Sequence, residues 1–104
     1  MKDLYFINPV FTKKTLNLTV RRGDKWKDYI DEVKIKDTKS KTEIANGRIV
    51  FSESAIFNEL TDRDLVLEHD IECRTKSGLF YVMSQLYEGF SEDEEVILIY
   101  FKVN

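Results

Sequence analysis

The last eight residues before the C-terminal asparagine constrain this chain more than any others. From Val96 to Val103 the sequence reads Val-Ile-Leu-Ile-Tyr-Phe-Lys-Val, apolar at nearly every position. A strand of that composition must be covered on both faces. Its unbroken apolar part, Val96 to Phe101, falls far short of the roughly 18 residues a membrane span needs, so the rest of the chain has to supply a layer on each side. At 104 residues it builds one core, since a second would need roughly 50 more. Seven Phe, five Tyr and one Trp give that core its bulk.

Read in order, the other segments provide the covers. Leu4 to Ile7 is a short strand or arm stopped by Asn8-Pro9. Thr15 to Arg21 alternates, with Leu16, Leu18 and Val20 on one face and Thr15, Asn17, Thr19 and Arg21 on the other, which predicts a strand with one wet face. Asp24 to Ile30 fits a single helical turn capped by Asp24. Val33 to Lys36 and Glu43 to Ser52 form a hairpin around a polar turn, with Gly47 at a bulge or a close backbone approach. Thr61 to Asp64 carries a helix-start pattern, leading into a short helix that ends near Glu68. Lys76 to Glu88 is the clearer helix, with Leu79, Val82, Met83, Leu86 and Tyr87 on a core-facing stripe and Gly89 as its stop. Five or six short strands with two or three helices predict an α+β domain, a small curved sheet or barrel closed by helices.

One cysteine, Cys73, excludes an internal disulfide, and the N-terminus lacks an apolar secretion segment. Both lead to the expectation of a cytoplasmic protein without a membrane span. The net charge of −3 conceals a division: residues 1 to 52 carry 12 Lys or Arg against 7 Asp or Glu, and residues 53 to 104 carry 4 against 12. Such a division can make one surface attractive to polyanions while the opposite one repels them; the bland alternative is two solvated surfaces that happen to differ, or that pair with each other.

The densest hint of chemistry is Thr19-Val20-Arg21-Arg22-Gly23-Asp24-Lys25-Trp26. Arg21 and Arg22 could fork a phosphate, Lys25 adds a point charge, and Trp26 offers a stacking face beside a tight glycine turn. The bland alternative is a strand ending in solvent with a buried tryptophan. A second cluster, Glu68-His69-Asp70 with Cys73-Arg74-Thr75, holds the only histidine and the only cysteine. Its spacing matches no metal set, and no cofactor motif occurs anywhere. Asp70 and Thr75 are expected to cap the loop before the long helix, while Arg74 either reaches the Lys25 site or pairs with Glu68 or Glu72. Tyr87, Phe90 and Tyr100 line a pocket or belong to the core.

Arg22-Gly23-Asp24-Lys25, the strand at Val33 to Lys36, the run Ala45-x-Gly47-x-Ile49-Val50 and the closing strand together resemble the ASCH branch of the PUA-like superfamily. The resemblance covers most of the chain and implies one small β-barrel domain, residues 1 to 104, with helices at its mouth. The family's Gly-x-Lys falls on Gly23 and Lys25, but Trp26, Lys27 and Asp28 follow where small or hydroxylated residues are usual. It implies binding of RNA or a nucleotide in a cleft beside the Gly23–Lys25 turn, through Arg21, Arg22, Lys25, Trp26 and Arg74. It also implies an alternative, a small hydrolase of a modified nucleoside using Lys25 with Glu68 or His69. A third reading is a protein-interaction module of mobile-element origin, whose acidic second half (Glu59, Asp62, Asp64, Glu68, Asp70) meets a basic partner.

Overall fold

A computed structural model describes residues 1–104. Five strands form one sheet: β1 (Lys2–Phe6), β2 (Leu16–Arg22), β3 (Glu32–Asp37), β4 (Glu43–Ile56) and β5 (Glu95–Val103). Their order is β1-β3-β4-β5-β2, with β1 parallel to β3 and every other pair antiparallel. The apolar closing segment is therefore an interior strand, flanked by β4 and β2. One α-helix, α1 (Lys76–Leu86), and three single turns of 3-10 helix (Phe57–Glu59, Asp62–Leu65, Ile71–Cys73) complete the chain. No helix is long and apolar enough to cross a membrane.

The two faces of β5 seed two separate cores. Val96 and Leu98 join Leu18 and Val20 of β2 beneath Leu79 and Met83 of α1, with Phe57, Leu60 and Leu65 from the 3-10 turns. Ile97, Ile99 and Phe101 face the other way, into an inner core with Leu4 and Phe6 of β1, Val33 and Ile35 of β3, Ile49 of β4, and Trp26; the cluster beneath α1 is the outer core. Burying a strand on both sides in this manner is what its unbroken apolar run requires.

Local chemistry accounts for the ends of the elements. The Thr75 hydroxyl caps α1 by accepting from the Gly78 N–H (3.1 Å), and Gly89, at φ +70°, carries the chain out beyond it. Thr61 and Asp64 exchange bonds as a capping box. Asp70 caps the turn Ile71–Cys73 through the Glu72 N–H (3.0 Å). Gly47 lies between β3 and β5, paired with Val33 and Val103.

Several expectations need correction. There are five strands and one α-helix where two or three helices were expected, and β1 and β2 remain the two sheet edges, so the sheet is an open half-barrel. The segment Asp24–Ile30 makes two turns, Lys27 N–H to the Asp24 carbonyl and Tyr29 N–H to the Trp26 carbonyl, and the left-handed Asp28 (φ +60°) keeps them from becoming a helix. The polar face of β2 is not wet: Asn17 and Thr19 are buried. Register puts them opposite Phe101 and Ile99, on the inner face. Burial is tolerated because Asn17 bonds the backbone of Thr12 and Thr15, and Thr19 accepts from Arg21. On α1, Leu86 of the expected core stripe is exposed.

Candidate functional site

The gap between the two sheet edges holds the candidate site. A cleft of about 290 Å³ opens where β1 (Tyr5, Phe6) and β2 (Thr19, Arg21) face each other. The segment Glu68–Asp70 and Cys73 close its base, and Leu79, Val82, Met83 and Leu86 of α1 form an apolar wall. The free edge of β2 positions the Glu68 segment: Leu18 N–H bonds the Leu67 carbonyl (2.8 Å) and His69 N–H bonds the Leu18 carbonyl (2.9 Å). Two edge-pairing bonds thus hold a carboxylate and an imidazole at the cleft.

Arg21 spans the seam. Its Nε donates to Thr19 Oγ1 (3.1 Å) and its Nη2 to the Tyr5 carbonyl of β1 (2.7 Å), while its guanidinium lies 4.8 Å from the centre of the Phe6 ring. Three N–H groups stay uncommitted. Burial pulls the Arg21 pKa down, opposed by the nearby Tyr87 and Glu68, and a guanidinium so placed keeps its charge. Glu68 is 1% exposed. Its Oε1 faces His69 Nδ1 at 2.5 Å and accepts from the Asp70 N–H at 3.2 Å. His69 packs edge-on against Phe6, ring centres 4.8 Å apart. Asn8 reaches across to Asp70 (3.1 Å), tying the segment after β1 to the segment below it.

Cys73 lines the same cleft but is no nucleophile. Burial first, then the charges of Glu68, Asp70 and Glu72, push its thiol up to about 12, so it stays protonated at neutral pH. No three His, Cys, Asp or Glu side chains converge as a metal site would require.

The five residues expected to share a site do not converge. Adjacent strand positions point to opposite faces, so Arg21 enters the cleft while Arg22 turns outward to Glu94 (2.6 Å) and over the Tyr87 ring. Trp26 is 5% exposed, set in the inner core against Tyr29, with Lys2 and Lys25 over its ring. It presents no free stacking face. Lys25 is exposed and, like Arg22 and Arg74, does not line the cleft, which is centred on Arg21 rather than on the Gly23–Lys25 turn. Arg74 pairs with neither Glu68 nor Glu72, and its Nε instead holds the Glu68 carbonyl (2.9 Å). Of the acidic residues expected in one patch, Glu68 is buried and Asp70 is bonded to Asn8, leaving Glu59, Asp62 and Asp64 exposed. Tyr87 does line the cleft, whereas Phe90 and Tyr100 pack with the outer core. Thr19 lies in the stretch that the sequence singles out and on the same strand face as Arg21, but it has no assigned role there, because in a strand with one wet face it reads as solvent-facing.

No protein-family model matches the chain, and no curated protein matches it either. Among solved structures, the crystal structure of an ASCH domain from Lactobacillus crispatus JV V101 is similar with a TM-score of 0.60. The chain has an ASCH-like fold. The match covers 84% of this chain and 63% of the other, so this ASCH-like domain spans less than two thirds of that structure. At 13% identity the likeness speaks for the fold alone.

Proposed function

We propose that this ASCH-like domain binds RNA or a nucleotide, and that a base enters the cleft beside Arg21. The observation that carries the reading is the meeting of an anchored guanidinium and a buried carboxylate in one apolar-walled cleft. A base has flat apolar faces and an edge that alternates donors and acceptors. Leu79, Val82, Met83 and Leu86 suit the faces. The free Arg21 N–H groups suit ring nitrogens and carbonyls, and Glu68 suits an exocyclic amine. A volume of about 290 Å³ lies at the small end of ligand pockets, ~300–1,000 Å³, and fits one nucleoside rather than a duplex. Arg22, Lys25 and Arg74, outside the cleft, would add charge for flanking phosphates. A free, buried Cys73 agrees with a reducing compartment, the cytoplasm.

The test is titration with short single-stranded RNA and with nucleoside monophosphates. Arg21→Ala is expected to weaken binding about tenfold or more, as for loss of a charge-assisted hydrogen bond. Lys25→Ala is expected to change mainly the salt dependence. Unchanged affinity in both Arg21→Ala and Glu68→Gln would refute the cleft as the site.

The Glu68–His69 contact favours a second reading, hydrolysis of a modified nucleoside, with Glu68 drawing the proton from an attacking water and His69 sharing it. Lysine has no part in this version, since none lines the cleft. Turnover of N-acylated nucleosides that vanishes in Glu68→Gln, with binding retained, would establish it. Binding with no turnover of any such compound would leave the binding module.

A further inference from the structure

The outer face of β4 and β5 carries a row of residues that the cleft does not use. Arg48 and Lys102 stand directly opposite each other in the ladder. Both are exposed, and neither has a carboxylate within 4.0 Å. Like charges facing each other across two strands repel. Beside them the register shifts between Ile49 and Phe51, and this bulge turns Phe51 from the inner face to the outer one, opposite Tyr100. The two rings stack at 5.6 Å and 29°, and Phe51 remains 43% exposed. Lys13 and Lys14, also exposed and unpaired, adjoin the end of β5, where the Lys14 N–H bonds the Val103 carbonyl (3.0 Å).

The acidic groups around this row limit its extent. Glu32 stands opposite Arg48 on β3 without forming an ion pair. Glu53 follows Phe51 on β4, and Glu53 and Asp64 both help raise the Tyr100 pKa after burial, its main cause. Positive charge therefore gathers at the Lys102 end, and the aromatic pair marks the border.

We propose that this face binds single-stranded nucleic acid, with phosphates on Arg48 and Lys102, the strand continuing toward Lys13 and Lys14, and a base stacked on Phe51. Unpaired cations next to an exposed ring are the two parts of such a surface. The Phe51 ring, stacked on Tyr100, offers a flat face to a base; an anionic membrane would use the same cations and can also take up a Phe ring, so it is the alternative that capture by vesicles tests. The surface does not depend on the cleft. Leu16, in the same row as Lys102, is five positions from Arg21, about 17 Å along the strand, and Arg21 points to the other face.

The experiment is fluorescence anisotropy of a labelled oligouridylate of about ten nucleotides at about 50 and 200 mM salt, with the full chain. Arg48→Ala with Lys102→Ala is expected to lower affinity about tenfold at the lower salt. It should also make the plot of log affinity against log salt shallower by about 1.4, for two phosphates at about 0.7 each. Phe51→Leu, which keeps the bulk and removes the ring, is expected to weaken binding about fivefold or more without changing that slope. Both losses should recur in an Arg21→Ala background, which separates this face from the cleft. Affinity and slope unchanged in the double variant would overturn the proposal. So would capture by phosphatidylserine vesicles that depends on Arg48 and Lys102 while oligouridylate does not bind.

Discussion

Gly47 illustrates how little freedom single positions have in this sheet. A Cβ there would stand 2.6 Å from the Lys102 carbonyl oxygen and 2.9 Å from Ile35 Cδ1. The side chain could give way, but the carbonyl belongs to a ladder. Gly47→Ala is expected to cost about 1–3 kcal/mol, read as a lower urea midpoint with an unchanged slope. Titratable groups set the alkaline limit of stability in one direction. Burial raises Cys73 to about 12, burial raises Tyr100, and the bond to Asp3 raises Lys36. In each case the folded state keeps a proton that the unfolded chain releases sooner. Their contribution is intact below about pH 7.5 and begins to fade as the unfolded thiol titrates around its pKa of about 8.5, the loss continuing as pH climbs through the folded values. Urea midpoints should fall between about pH 8 and pH 10.5, and native Cys73 should resist iodoacetamide until the protein unfolds. A midpoint that rises over that interval would contradict the assignment.

At the level of elements, β5 was the most legible part of the chain, because an apolar residue at nearly every position leaves only an interior strand as a solution. Ile99 lies at its centre, fully buried in the inner core. Ile99→Ala is expected to cost about 2–5 kcal/mol, a large fraction of what a domain of this size has, measurable by thermal or urea unfolding. The caps at Thr61, Asp70 and Thr75 were legible for a similar reason, since each is a local bond between neighbours in sequence. β2 was half legible. Its alternation gave the strand, but alternation cannot say whether a polar face meets water or is buried with partners, and Asn17 and Thr19 took the second course. The same ambiguity hid the site. Arg21 and Arg22 are adjacent in sequence and look equivalent, yet a strand sends them to opposite faces. Glu68 reaches the cleft only because the edge of β2 recruits it from 50 residues away.

For the molecule as a whole, the basic first half and the acidic second half do not become two separate lobes. β5, from the acidic half, is inserted between β4 and β2 of the basic half. Ion pairing between halves is confined to Arg22 and Glu94, so most of the charge remains available at the surface, where composition alone could not place it. The seam between β1 and β2 has a further consequence, because Arg21 serves as both a clasp on the N-terminal strand and a donor in the cleft. If a ligand is held by Arg21 as proposed, it reports on β1, and the integrity of β1 sets the affinity for it, by an equal free energy in each direction. Amide exchange at Leu4, Tyr5 and Phe6 should slow when the cleft is filled and quicken in Arg21→Ala, so that occupancy of the site becomes readable at the opposite edge of the sheet.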